Sequence, residues 1–324
     1  MRVLVTGGAG YIGSIVTAAL LGDGHEVTVL DSLVRGLATA AAPAPLVVGD
    51  IRDRALVARI LREERIEAVM HLAALKSVAE SMRDPAAYHE ANVVGTRRLL
   101  EAMDEAGCRV LVFSSTCAVH GDTATVPVDE ATPIAPINPY GESKAQAERL
   151  VAESGLATRT RWVTLRYFNV AGAAQDGRHG ERWDDAECLV PRVLRVAAGL
   201  DPSVPIFGTD FPTPDGTGVR DYVHVEDIAS AHLHALQYVA DGGDPITLGL
   251  GTGRGHSVRE VIEAVRAVTG RDVPVKLEPR REGDPAAVWA DPTRAAGVLG
   301  WTATRDLEAI VATAWRWHQR ADGQ

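Results

Sequence analysis

The stretch Val3-Leu4-Val5-Thr6-Gly7-Gly8-Ala9-Gly10-Tyr11-Ile12-Gly13 opens the chain. A short β-branched run ends in glycines spaced G-x-x-G-x-x-G, and a helical pattern starts at Tyr11. Glycine at positions 7, 10 and 13 lets a strand turn sharply into a helix. It also lets the backbone approach a pyrophosphate, whose charge the helix N-terminus stabilises. With a strand before it and a helix after it, the turn reads as the phosphate cradle of a dinucleotide site. Asp31 ends the next expected strand, where a carboxylate accepts from an adenosine ribose hydroxyl and repels a 2′-phosphate. The expected cofactor is therefore NAD rather than NADP, with Arg35 the nearby cation that argues the other way.

Outward from this turn, β-branched runs alternate with longer helical patterns. Strands are expected at Arg2–Thr6, Glu26–Leu30, Leu46–Gly49, Ala68–Leu72, Val110–Ser114 and Trp162–Tyr167. Helices are expected at Tyr11–Leu21, Leu56–Glu63, Tyr88–Ala106 and Pro139–Glu153. That alternation predicts an α/β fold, a doubly wound parallel (Rossmann) sheet covered on both faces. The rhythm breaks after Asn169. The polar stretch Ala171–Glu187 reads as a mobile connection or lid, opening a second, smaller α/β substrate domain. The division expected is 1–169 for the cofactor and 170–324 mainly for the substrate, with segments returning to the first domain. Helices follow at Asp227–Ala240, Val258–Val268 and Leu307–Gln319. In the last, Leu307, Ile310, Val311, Ala314 and Trp315 form one apolar stripe, read as core.

The chain has 324 residues and a net charge of −10, so nucleic acid and anionic membranes are not expected partners. No apolar run approaches the ~18 residues of a membrane helix. The first strand begins at residue 2, and the three cysteines, Cys108, Cys117 and Cys188, form no C-x-x-C pair. These features predict a reduced, cytoplasmic setting without a signal peptide. The histidines show no ligand spacing, so no metal site is expected. Thirty of the 33 basic residues are arginine; the three lysines are Lys76, Lys144 and Lys276.

One of those lysines stands four residues after Tyr140. Asn138 can cap a helix with Pro139 at its first position, which places Tyr140 and Lys144 on one face. A free tyrosine has a pKa of about 10, and bringing it near neutrality takes about 4 kcal/mol of differential stabilisation. Lys144 and a positively charged nicotinamide both favour the phenolate, so Tyr140 is expected to act as a base. Thr116, at the carboxyl end of the fifth strand, offers a hydroxyl nearby.

Together these motifs resemble the extended short-chain dehydrogenase/reductase family. The carriers are VTGGAGYIGS at 5–14, GDIR at 49–52, ANVVGT at 91–96, FSST at 113–116, NPYGESKAQAE at 138–148 and LRYFNVAGA at 165–173. DGTGVRDYVHVEDIA at 215–229 and RREGDPA at 280–286 point to its nucleotide-sugar epimerase subgroup. The resemblance implies tightly held NAD, a homodimer and a UDP-sugar substrate. It further implies interconversion of UDP-glucose and UDP-galactose by oxidation at C4, rotation of the 4-keto sugar and re-reduction on its other face. Thr116, Tyr140 and Lys144 would be catalytic. Gly7, Gly10, Tyr11, Ile12, Gly13, Asp31, Asp50, Ile51, Leu72, Ala73, Ala74, Lys76, Asn92, Tyr140, Lys144 and Tyr167 would contact NAD. Lys76, Thr116, Tyr140, Asn169, Cys188, Leu189, Phe207, Arg220, Arg281, Asp284 and Val288 would face the sugar nucleotide.

Three positions depart from the pattern. Cys188 stands where relatives place Asn or His, and His120 where many place Tyr. Val288 is smaller than the Tyr that narrows the sugar pocket in some relatives, which implies tolerance of a 2-acetamido sugar. Family members that dehydrate their substrate carry Asp-Glu after the threonine, whereas Cys117-Ala118 follow Thr116 here. Epimerisation of another nucleotide sugar (an N-acetylhexosamine, a uronic acid or a dTDP-hexose) stays open, as do, more remotely, dehydration and a non-catalytic NAD-binding regulator.

Overall fold

In the computed structural model, which describes residues 1–123, 125–183, 188–281 and 284–321, Val3, Leu4 and Val5 are wholly buried. They lie in β1 (Arg2–Thr6), at the centre of a parallel sheet covered on both sides. The first half runs as the sequence predicts. It comprises α1 (Tyr11–Gly22), β2 (Glu26–Asp31), β3 (Leu46–Val48), α2 (Arg54–Glu63), β4 (Ala68–His71), α3 (Val78–Arg83) and α4 (Pro85–Tyr88). Next come α5 (Gly95–Ala106), β5 (Val110–Thr116), α6 (Pro139–Thr158) and β6 (Arg161–Tyr167). The expected single helix over Tyr88–Ala106 is broken by a π-helical turn at His89–Val94.

The second half contains β7 (Asn169–Ala171), α7 (Leu189–Ala197), β8 (Val204–Phe207), β9 (Val219–His224), α8 (Val225–Ala240) and β10 (Ile246–Leu250). It continues with β11 (Gly255–Ser257), α9 (Val258–Thr269), β12 (Val275–Glu278), β13 (Ala287–Val288), α10 (Thr293–Leu299) and α11 (Leu307–Ala321). Strand order in the large sheet is β10-β6-β5-β4-β1-β2-β3, all parallel. The seventh strand thus comes from the far half of the chain, with Ile246 opposite Val163. Helix α8 leads into it, and Ile228, Ala231 and Leu236 share a core with Ile15, Val16 and Leu20 of α1. The other face buries Val57, Leu61, Leu99, Phe113 and Val151.

A separate core forms from Val190, Leu194, Ile206, Val261, Ile310 and Val311. The apolar stripe of α11 enters it, with Trp315 at its margin. Strands β11, β9 and β13 make a small sheet on which β7 also pairs, and β8 pairs with β12. Because every strand of the large sheet is parallel, Thr6, Asp31, His71, Thr116 and Tyr167 all finish on one edge. Ligands bind beyond that edge in such sheets. Among the described residues, no helix is long and apolar enough to cross a membrane.

Candidate active site

At the carboxyl edge lies a cavity of about 520 Å³. Every residue assigned above to the cofactor lines it except Asn92. The glycines are required by space. A Cβ on Gly13 would stand 2.0 Å from the Gly7 carbonyl oxygen, and one on Gly7, at φ +76°, would stand 2.6 Å from the Ala73 nitrogen. No side chain caps the first turn of α1 and that turn carries no acid, so its N–H groups suit a pyrophosphate. Asp31 accepts from the backbone of Ala9 at 3.0 Å and of Leu33 at 2.8 Å. Each carboxylate oxygen keeps lone-pair capacity for a ribose hydroxyl. Arg35 is engaged by Glu80 at 2.8 Å, which weakens its claim on a 2′-phosphate. The lining therefore fits NAD.

Asn92 braces the wall from behind. Its Oδ1 accepts from the Leu75 nitrogen at 2.8 Å, and its amide donates to Leu75 O and to Ser143 Oγ. The π-helical turn presents Asn92 to the loop after β4 and to α6 together, a common use of such turns.

Asn138 caps α6, accepting from the Gly141 nitrogen at 2.8 Å, and Pro139 fills the first turn. Tyr140 and Lys144 then both face the cavity. Burial pushes the Tyr140 phenol up; the Tyr167 phenol adds to this, while the Thr116 hydroxyl, hydrogen-bonded to it, pulls it down. Lys144 stands four residues on along the same helix and lines the same cavity. Its Nζ lies 4.3 Å from the centre of the Phe113 ring. Burial draws the ammonium down to about 8, and Glu148 opposes that fall. His71, bonded to Thr6 and Thr96, is driven to about 3 by burial and by Lys144, so it stays neutral. Burial alone thus favours the protonated phenol, and a positive charge nearby would favour the phenolate.

Of the residues assigned to the sugar nucleotide, Lys76 and Tyr140 line this cavity and the others lie outside its lining. Arg220 Nη2 pairs with Asp284 at 2.5 Å, and the Arg281 guanidinium lies 3.6 Å above the Phe207 ring. Tyr222 links the group, its phenol acted on by Arg220, Cys188, Asn169 and Asp284. Cys188 precedes Leu189 at the start of α7. Val288 pairs with Arg220 in register and packs toward Phe168, Val128 and Cys117. His120 is buried behind the centre, its Nδ1 bonded to Thr132 O at 3.0 Å, away from the cavity lining. Residues 282 and 283 of the RREGDPA motif lie outside the described residues.

The stretch expected to be a mobile lid is hydrogen-bonded along α11 as far as it is described; residues 184–187 lie outside the described residues. Arg316 and Arg320 donate to the carbonyls of Gln175 and Asp176, and Trp317 Nε1 to Glu181 O at 2.9 Å. Tyr11 Oη donates to Gly172 O at 2.6 Å, and Lys76 pairs with Glu181 at 2.9 Å. Glu181 and Trp317 thus reach the cavity wall, although sequence reasoning assigned neither. Their signal is long-range pairing, which no local spacing carries.

Comparison with known proteins agrees with this geometry. Residues 3–251 match the NAD dependent epimerase/dehydratase family. A UDP-glucose 4-epimerase from Lactobacillus helveticus is 45% identical, over 98% of this chain and 97% of its own. One from Streptococcus mutans serotype c is 46% identical over 98% and 97%. The crystal structure of UDP-glucose-4-epimerase from Stenotrophomonas maltophila, solved with bound NAD and formylated UDP-arabinopyranose, superposes with a TM-score of 0.97. It shares 44% identity and covers 100% of this chain and 99% of its own. The chain belongs to the NAD dependent epimerase/dehydratase family.

Proposed function

We infer that this protein interconverts UDP-glucose and UDP-galactose by inverting the sugar at C4. The observation that carries the reading is the meeting of Tyr140 and Lys144 at the cavity lined by the Gly7–Gly13 turn, with the Thr116 hydroxyl bonded to the Tyr140 phenol. The chemistry supplied by bound NAD is reversible hydride uptake beside C4, together with a positive ring in its oxidised form. Tyr140 Oη would take the proton of the sugar 4-hydroxyl and return it to the same oxygen once the keto sugar has turned its other face to the cofactor. Thr116, hydrogen-bonded to that phenol, holds it in line. Lys144 donates to ribose hydroxyls and keeps a positive charge near the centre. Arg220 and Arg281 hold the diphosphate against the protein's net charge of −10. The stack of Arg281 on Phe207 pre-orients that guanidinium.

The protein works as a homodimer in this reading. A cytoplasmic setting goes with the same reading. The test is purified protein with UDP-galactose and no added NAD: UDP-glucose forms to equilibrium. Tyr140→Phe abolishes turnover and retains NAD. Absence of product with bound NAD confirmed would refute the reading in favour of a non-catalytic one.

A further inference from the structure

Glu148 lies one helical turn beyond Lys144 on α6 and is buried. Ser115 Oγ donates to its Oε1. Arg166 Nε reaches its two oxygens at 3.0 and 3.2 Å, and Nη2 reaches Oε2 at 2.6 Å. Ser115 and Arg166 are register partners, one step before Thr116 and Tyr167 on the same two strands. One carboxylate therefore ties the ends of β5 and β6 to the helix that carries Tyr140 and Lys144. The charged and titratable groups around it are Arg166 from β6, His120 from the turn after β5, and Lys144 on its own helix. Lys144 in turn is faced by His71 from β4, which is neutral, and by the Phe113 ring from β5.

A buried ion pair adds little stability over a well-packed apolar pair. Its placement under the lysine gives it a different use. We propose that Glu148 is a positioning residue: it locks Thr116 and Tyr167 against α6 and supplies the buried anion that keeps the Lys144 ammonium charged. The proposal rests on the reading of Lys144 as the cation of the centre.

The physical argument concerns what replaces the carboxylate. Glu148→Gln keeps the shape and a bond to Ser115 but removes the anion. It also leaves Arg166 as an unpaired buried cation. Both changes disfavour a second cation at Lys144. Adding Arg166→Met removes that cation and relieves half of the problem.

The chain's three lysines make the test direct. Protein labelled at lysine side chains, with its cofactor bound as purified, gives signals from Lys76, Lys144 and Lys276 only, and NMR follows the titration of Lys144. In Glu148→Gln the Lys144 midpoint is expected to fall by about one pH unit or more, and to recover at least partly in Glu148→Gln/Arg166→Met. The basic limb of the turnover profile should move with it. An unmoved Lys144 midpoint in folded Glu148→Gln overturns the proposal. If Glu148→Gln does not fold, Glu148→Asp carries the test, because it keeps the charge and shortens the reach. Its Lys144 midpoint should stay near wild type while kcat falls about tenfold at unchanged KM; wild-type kcat there overturns the proposal. Wild-type turnover of UDP-galactose tests the functional reading separately, since the titration needs no turnover.

Discussion

Replacing Lys144 with methionine should make the protein more stable and nearly inactive. The Lys144 ammonium titrates at about 8 against 10.5 for an unburied lysine, chiefly because burial strips its water. Each tenfold displacement of that balance is worth about 1.36 kcal/mol, so the charged form costs the fold about 3 kcal/mol at pH 7. The sign follows from the two states. Below pH 8 lysine is charged both folded and unfolded, and the full penalty applies. From pH 8 to 10.5 the folded protein sheds the proton first, and the penalty fades. Methionine has a similar reach, carries no charge and suits the Phe113 ring, which lies 4.3 Å from Nζ. Glu148 and Arg166 remain paired in the variant and leave no buried orphan charge. Urea unfolding of cofactor-free wild type and Lys144→Met, compared at pH 7 and pH 9.5, reads the effect. The variant should gain about 3 kcal/mol at the lower pH and only about 1 kcal/mol at the higher, while turnover falls about a hundredfold or more. Equal or lower stability at pH 7, or a gain that ignores pH, would refute the reasoning.

Two further outcomes follow from the same geometry. Gly13→Ala forces a methyl to within 2.0 Å of the Gly7 carbonyl oxygen, so the turn must open; the purified variant should carry little or no NAD by absorbance after denaturation, and full occupancy would count against the cradle. Val288 is a smaller side chain than Tyr at a position packed in the Phe168 cluster, so UDP-N-acetylglucosamine should turn over at no less than about a hundredth of the UDP-glucose rate, and Val288→Tyr should reduce that ratio about tenfold or more through overpacking; a rate below that bound, or an unchanged ratio, sinks the size argument.

Legibility in the sequence tracked the range of the interaction. The Gly7–Gly13 turn, the Asn138 cap and the Tyr140/Lys144 pair each depend on neighbours within a few residues, and backbone geometry alone places them. The broken helix at His89–Val94 was not legible, because Asn92 is drawn to Leu75 and Ser143, which helix periodicity does not encode. Spacing puts Tyr140 and Lys144 on one face, but the burial that raises the phenol and lowers the ammonium comes from the tertiary structure.

By itself, the sequence determined the alternating α/β plan, the glycine turn between β1 and α1, and NAD as the cofactor. Those follow from local sterics, hydrophobic period and the chemistry of each residue type. Only the tertiary structure decided that β10 closes the sheet beside β6, that α11 pins the strap carrying Glu181, and that Glu148 joins β5 and β6 beneath Lys144. These contacts bring together residues separated by as many as 144 positions. They depend on the path of the whole chain and on the burial it creates, and no short window of sequence contains either.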